Sequence, residues 1–381
     1  MRALVVDDGR SLGALAAVRS LARAGWEVGV ASPGPVGFAA TSSYMSRHLV
    51  APFVHLDPDA FLAAIQNAIS SGGYELVFAG GDAELMALSH GRHRLDALLP
   101  YAEHSVVETA LDKLHVHHLA QASGLSTPTT APADAVAQWE SWPVVVKARR
   151  HWSVGRRAGS GRLDPSVCAA PDEARQRIAQ ITDNGAEAIL QERVPGLLMA
   201  YTALCDRGGR VVAAVQQEVD GLDPSPPGSS TRARTVPLDP ALAGGVQELL
   251  NRLGWFGIAE LQFMKRSGEA PKMIDLNGRF YGSMSLAISA GIDLPALWAS
   301  LAVGRDVPSA VARTGVRYQW LHGDLLRALR ERRSGLTADV GKTLAYGCGA
   351  VHPLWSKSDP RPCLRYLLRA PQRSASLLRR K

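Results

Sequence analysis

The chain is poor in cysteine, with four in 381 residues, at positions 168, 205, 348 and 363, and no C-x-x-C pair among them. That scatter excludes a disulfide framework and argues against a cysteine zinc site, and it fits a reducing, cytoplasmic setting. There is no apolar run of about eighteen residues, so no membrane-spanning helix and no stable membrane insertion are expected. The opening MRALVVDDGR breaks its short apolar stretch with Asp7 and Asp8, which is not the pattern of a signal peptide. The G-x-x-x-x-G-K-[ST] order of a Walker A loop is absent, and the loop Gly9 to Gly13 lacks G-x-G-x-x-G. A P-loop enzyme is therefore excluded and a nicotinamide site is not expected. No Ser-His-Asp or Cys-His arrangement has a recognisable context, so chemistry through a protein nucleophile is not indicated.

Charge is present but localised. The net charge is +7, yet between His352 and Lys381 there are eight Lys or Arg against Asp359 alone, which accounts for the whole excess. The remainder is near neutral, which argues against nucleic acid as a partner. The tail reads as a solvated surface or a subunit contact, so a homodimer is left open. Three histidines, 115, 117 and 118, share one expected helix, but 117 and 118 diverge around it, and no metal site is expected there.

Apolar residues make up 46% of the chain, enough for more than one core. The first hundred residues alternate strand and helix: RALVV, a glycine loop and a helix to Ala24, EVGVAS, a helix from Pro58 to Ser70, ELVFAG and a helix from Asp82 to Leu98. That alternation predicts a doubly wound parallel sheet over residues 1–105. Gly80, Gly81 and Asp82 sit at a strand-to-helix turn and either line a cleft or simply make the turn. Residues 106–305 form a second, α+β unit, and residues 306–381 a small, basic, mostly helical region.

Within 106–305, residues 273 to 283 read MIDLNGRFYGS. In an extended backbone Asp275, Asn277 and Arg279 alternate with Ile274 and Leu276 and point the opposite way. Upstream, GIAELQFM sets Glu260 and Gln262 opposite Ala259, Leu261 and Phe263, and Arg266 to Pro271 reads as the turn of a hairpin. Pairing would let Glu260 and Asp275 face one cavity. Two carboxylates and an amide oxygen are hard ligands suited to Mg²⁺ (or Mn²⁺) that also binds substrate phosphates. A solvated hairpin face would show the same alternation, so neighbouring segments decide. Trp142 to Lys147 is a β-branched run ending in a lysine, followed by ARRHWSVGRRAGSGR, a basic, glycine-containing loop able to wrap a polyphosphate. Before it, a helix from about Leu111 closes at Gly124 and carries Lys113 in its first turn. After it, AILQERVPG is an apolar strand that turns polar at Gln191 and Glu192. The stretch from Asp220 to Asp239, rich in Pro, Gly and Ser, reads as a disordered insert or a functional loop. SMSLAISAG reads as a helix with Ser283 near its start, an anion-binding position beside Arg279.

Taken in order, these segments resemble the ATP-grasp superfamily of ligases over roughly residues 105 to 305, and N-G-R-F-Y-G-S-x-x-L-A-I looks most like its carboxylate-amine ligase branch. The resemblance implies an N-terminal pre-ATP-grasp domain that helps frame the acceptor pocket, followed by the ATP-grasp domain. It implies Lys113 and Lys147 on the ATP phosphates under the glycine-rich loop, and the adenine edge against Gln191, Glu192, Arg193 and Val194. It places Mg²⁺ on Glu260, Asp275 and Asn277, and Arg279 on the transferring phosphoryl group. Arg232 and Arg234, like basic residues in this region of related ligases, would reach a substrate carboxylate or the acyl phosphate. The implied reaction joins a small carboxylate to an amine, such as an amino acid, with release of ADP; the alternative is a non-catalytic nucleotide-binding or regulatory protein. One departure is the run Leu197 to Tyr201, which lacks the acid the family places there for the ribose hydroxyls.

Overall fold

The computed structural model describes residues 1–152, 163–223, 228–308 and 310–368. Its N-terminal third is built as the alternation predicts. Strands β1 (Arg2–Val6) and β2 (Glu27–Ser32) flank helix α1 (Leu12–Arg23), followed by β3 (Arg47–Val50), α2 (Pro58–Gly72), β4 (Leu76–Ala79) and α3 (Asp82–His90). All four strands are parallel, in the order β3-β2-β1-β4. Neighbouring strands β1 and β4 are continuous apolar runs because helices cover both faces of such a sheet. The exposed edge strand β3 was not foreseen: Arg47 and His48 interrupt its apolar pattern. The helix expected to reach Leu98 ends at His90, where Gly91 follows.

Helices α4 (His104–Ala110) and α5 (Lys113–Ala122) lead into a small antiparallel sheet. It comprises β5 (Thr130–Pro132), β6 (Val144–Ala148), β7 (Ser166–Cys168) and, after α6 (Pro171–Asp183), β8 (Ala188–Glu192), in the order β5-β8-β6-β7. It has its own core of Val144, Val146, Cys168, Ala174, Ile181 and Leu190. Residues 193–196 then cross to β9 (Leu197–Cys205). Gly196 is required at that crossing, because a Cβ there would lie 2.2 Å from the carbonyl oxygen of Lys265 and its φ is +142°.

The large antiparallel sheet continues with β10 (Val211–Asp223), β11 (Ser229–Val236), α7 (Pro240–Leu253), β12 (Gly257–Lys265), β13 (Lys272–Asn277), α8 (Met284–Ser289) and α9 (Leu294–Ala302). The order is β13-β12-β9-β10-β11 and then β14 (Arg317–Gln319), which precedes α10 (Leu321–Glu331) and α11 (Leu336–Gly347). Two expectations change here. Asp220 to Asp239 is largely a β-hairpin arm, since Ser230 to Val236 pairs with β10 and buries alternate side chains, Thr231, Ala233 and Thr235; residues 224–227 lie outside the described residues. The C-terminal region is helical but also supplies an edge strand, β14. It is tied to the N-terminal sheet by Arg19, which donates to Asp359 at 2.8 Å and to the carbonyl oxygen of Pro353 at 2.7 Å. One continuous core runs from Leu4 and Phe78 through Phe280 and Trp298 to Leu261 and Leu249. No described helix is long and apolar enough to cross a membrane.

Candidate active site

The site begins at a helix start. Asp112 caps α5, accepting from the backbone N–H groups of Leu114 at 3.1 Å and His115 at 3.2 Å. The same carboxylate accepts from Arg149 Nε at 2.8 Å and Arg150 Nη2 at 2.7 Å, and Lys113 N–H donates to the carbonyl oxygen of Arg149 at 3.1 Å. The start of α5 is thus clipped to the end of β6, which brings Lys113 and Lys147 together. Asp112 was missed from sequence, although an Asp directly before a helix is itself a cap signal.

Both lysines are buried, 3% and 5% exposed, and both reach β13. Lys147 Nζ donates to the carbonyl oxygen of Ile274 at 2.8 Å, and Lys113 Nζ lies 3.4 Å from Asp275 Oδ1. On the hairpin, Glu260 stands opposite Asn277 and Gln262 opposite Asp275, so the two acids share a face without facing each other directly. A bulge corrects the simple alternation: the register shifts between Gln262 and Phe263, leaving Ile274 unpaired, and Ile274 packs with Leu198, Met264 and Leu286 rather than beside Leu276. Glu260 Oε2 accepts from Asn277 Nδ2 at 2.9 Å and from Gln262 Nε2 at 3.3 Å. Arg279 donates to Asn277 Oδ1 at 2.9 Å and, across the domain junction, from Nε to Asp82 Oδ1 at 3.1 Å. His151 Nε2 lies 3.9 Å from both Asp82 and Asp275. The strand-to-helix turn at Asp82 therefore does line the cleft.

Electrostatics separate these groups. Burial pushes Lys147 down to about 8, with Asp275 opposing and Lys113 adding to the shift. Burial would raise Asp275, but the charge of Lys113, then His151 and Lys147, holds it well below the usual carboxylate range. Glu260 goes the other way, to about 7, because burial outweighs Arg279 and its amide donors. Asp82 is held at about 2, with Arg279 and His151 overcoming the effect of burial. The donor set fits a divalent cation: Glu260, Asp275 and the Asn277 amide oxygen are hard ligands, and Glu260 is a buried carboxyl that accepts from the amides of Asn277 and Gln262. Asn277 Oδ1 would have to release Arg279 to coordinate.

The other expected residues are distributed differently. Gln191 is buried and donates to His117 and to Thr130 Oγ1 at 3.1 Å each, so its side chain is spent in the core. His117 is kept neutral by burial, at about 3. Glu192 is bound by Lys272 Nζ at 3.0 Å and by Thr129 N–H at 3.1 Å. Arg193 is exposed and Val194 half-buried at the crossing between the two sheets. Arg232 and Arg234 are not brought to the cluster. They alternate with Ala233, which packs with Leu198, Val219 and Leu286, so the guanidinium groups leave by the opposite face. Arg232 Nε donates to Asp324 at 2.6 Å and Arg234 Nη2 to Glu218 at 2.8 Å. Ser283 does not cap α8; its hydroxyl pairs with Gln217, which donates to it at 2.8 Å. Most of the glycine-rich loop, 153–162, lies outside the described residues.

Residues 186–323 match the family profile described as "ATP-grasp in the biosynthetic pathway with Ter operon". No curated protein matches the chain. Among solved structures, the chain is similar to an L-amino acid ligase from Bacillus licheniformis, with 17% identity, a TM-score of 0.61, and 80% of this chain and 74% of that one covered. It is similar to the ADP complex of N5-carboxyaminoimidazole ribonucleotide synthetase, with 14% identity, a TM-score of 0.65, and coverage of 87% and 85%. It is also similar to the biotin carboxylase domain of the Hydrogenobacter thermophilus 2-oxoglutarate carboxylase, in a complex with MgADP, ADP and bicarbonate, with 15% identity, a TM-score of 0.63, and coverage of 82% and 73%.

Proposed function

Proceeding from the match of residues 186–323 to an ATP-grasp family profile and from the likeness in fold to the ligases above, we propose that the chain is an ATP-dependent carboxylate-amine ligase that activates a small carboxylate as an acyl phosphate, releases ADP, and passes the acyl group to an amine. The observation that carries this reading is the convergence of two buried lysines and Arg279 on the Asp275–Asn277 segment. A carboxylate must approach a polyanionic nucleotide, and the barrier is largely electrostatic. Lys113 and Lys147 are desolvated cations with little partner charge of their own, so phosphate oxygens would complete them. Arg279 is shared between Asn277 and Asp82 and can turn to the equatorial oxygens of the transferring group. A divalent cation on Glu260, Asp275 and Asn277, when bound, would neutralise and bridge phosphate oxygens. Gln191 and Glu192 have their backbone paired with β5 and β6, so the adenine edge would take its hydrogen bonds from the backbone of Arg193 and Val194, past the end of β8.

The test is a screen of the purified protein with Mg²⁺, ATP and a matrix of amino acids and small carboxylates. A competent acid should give acid-dependent ADP and, with hydroxylamine replacing the amine, a hydroxamate in step with it. Pyrophosphate instead of phosphate would move the chemistry to adenylation. The absence of an acid in Leu197 to Tyr201 favours a second reading, nucleotide binding without turnover. ATP binding with no acid-dependent ADP release across the matrix would select it.

A further inference from the structure

The carboxyl edge of the parallel sheet holds a second concentration of charge that phosphate transfer does not use. In the order β3-β2-β1-β4 the chain moves outward from β1 to β3 and then crosses back to β4, so the crevice between the ends of β1 and β4 is a topological switch point, where open α/β sheets bind ligands. Asp7 and Asp8 follow β1; Gly80 and Gly81 follow β4; Glu84 lies in the first turn of α3. The glycines allow the acids to crowd together. A Cβ on Gly80 would lie 3.3 Å from that of Asp7, and one on Gly81 would lie 2.4 Å from Glu84 Oε2.

Asp7 is 3% exposed and Glu84 8%. Asp7 Oδ1 accepts one long bond from Ser11 N–H at 3.3 Å, while its Oδ2 is buried without a partner. Among the described residues no lysine or arginine forms an ion pair with Asp7, Asp8 or Glu84; the nearby Arg279 is committed to Asp82. Burial and then Asp8 raise both buried carboxyls, Glu84 to about 7. A buried acid without a close counter-charge is held in its protonated form, and a ligand cation would draw out the ionised one. An anion is excluded by the same acids, although α1 and α3 begin at the rim. Among the described residues the three acids are not gathered as a metal-ligating group. The crevice also lies beside the phosphoryl-transfer segment: Gly13, at the start of α1, is pressed so closely on it that a Cβ would sit 2.5 Å from the carbonyl oxygen of Tyr281.

We propose that the buried Asp7 and Glu84, with the exposed Asp8 at the rim, receive the ammonium group of the amine substrate. The assignment rests on the ligase reading and narrows it, because the acceptor then enters as a primary ammonium rather than as a neutral or anionic compound. The experiment uses the full chain and ligand-observed NMR titration with ethylamine, putrescine and L-lysine, and with ethanol and acetate as uncharged and anionic counterparts. The ammonium compounds should bind saturably and the counterparts should not. Asp7→Asn and Glu84→Gln should each weaken binding about tenfold or more, the scale of a hydrogen bond to a charged group. Both substitutions remove an acid whose ionised form is unfavourable in the fold, so above about pH 7 they should raise the melting temperature of the ligand-free protein, and weaker binding would not reflect unfolding. Equal affinity in both variants, equal binding of ethanol, or no saturable ammonium binding overturns the assignment. The ligase reading fails separately, on the absence of acid-dependent ADP release by the unmodified protein, because amine binding at equilibrium requires no turnover.

Discussion

Asp324 and Asp275 are acids set among cations in two parts of the molecule, and the chain neutralises them to very different degrees. Asp324 is fully buried and accepts from Arg232 at 2.6 Å, Arg327 at 2.9 Å and Gln319 at 2.6 Å. Asp359 is treated the same way by Arg19, Ser42 and Ser43. Around Asp275, which accepts from the Leu276 N–H at 3.0 Å, the cations stand farther off: Lys113 at 3.4 Å, His151 at 3.9 Å, and Lys147 on a backbone carbonyl in place of a carboxylate. A saturated network has no capacity left for a ligand and fastens one element to another. An unsaturated one stores charge that a ligand can complete. Completeness of pairing, more than the presence of buried charge, separates the fastening of the C-terminal helices from the candidate active site.

The largest effect that would test this contrast is on stability. Asp324→Ala strips Arg232 of its carboxylate partner, leaving it Thr343 and the Tyr346 ring, and leaves Arg327 with Glu331 alone; it should cost about 3 kcal/mol of unfolding free energy, measured by urea titration. Turnover per folded molecule should change far less. A variant that melts normally but has lost ATP chemistry would reverse the roles of the two networks.

Next comes Asp275→Ala. Removing one of the acids expected to hold a phosphate-bridging cation should lower Mg²⁺-ATP turnover by about 10²-fold or more, with the fold retained by circular dichroism and cooperative melting. Near-parental activity in a well-folded variant would sink the metal assignment.

The two networks also differ in how legible they are in the sequence. Lys113, Lys147, Glu260, Asp275, Asn277 and Arg279 were readable because strand alternation and short local motifs fix their faces, and the structure gathers them. The bulge at Ile274 was not readable, since nothing in MIDLN marks the extra residue. Arg232 and Arg234 were misplaced for a physical reason: a Pro- and Gly-rich segment looks like a loop, and its pairing with β10 and β14 depends on strands distant in sequence. Once they lie on a strand, their parity sends them to the face opposite Ala233. The acids at Asp7 and Glu84 come together only through the adjacency of β1 and β4, 70 residues apart at Val6 and Leu76 by chain position.

Lys147→Met should have a smaller effect. ATP affinity should fall about tenfold or more, the scale of one charge-assisted contact. The pH dependence has a definite sign. The folded, ligand-free value of about 8 lies below the ordinary 10.5, so the ammonium penalises the folded state fully below pH 8, and the penalty fades between pH 8 and 10.5. The variant should therefore melt no lower than the parent at neutral pH, and any advantage should vanish toward pH 10.5. ATP affinity of the parent should decline as pH rises through about 8, and that step should be missing from the variant. A parent and variant with identical affinity and identical pH profiles would remove Lys147 from the phosphate site.

The smallest effect is expected for Arg234→Ala, and it is the sharpest check on the face assignment. Arg234 is 53% exposed and paired with Glu218, so the pair contributes at most about 1 kcal/mol and is screened by salt. Its guanidinium borders a cavity of about 580 Å³ that Gln216, Glu218, Asp239 and Lys265 also line. The alternation of β11 sets that cavity on the face away from Gln217 and Ser283. If catalysis is confined to the face carrying Glu260 and Asn277, urea titration and acid-dependent ADP release should both stay close to the parent, at low and at high salt. If instead turnover collapses while the urea midpoint holds, a substrate group must enter the cavity from the far side of the sheet. Saturated pairing would then no longer mark a fastening region, because Arg234 would be paired in the free protein and functional in the complex.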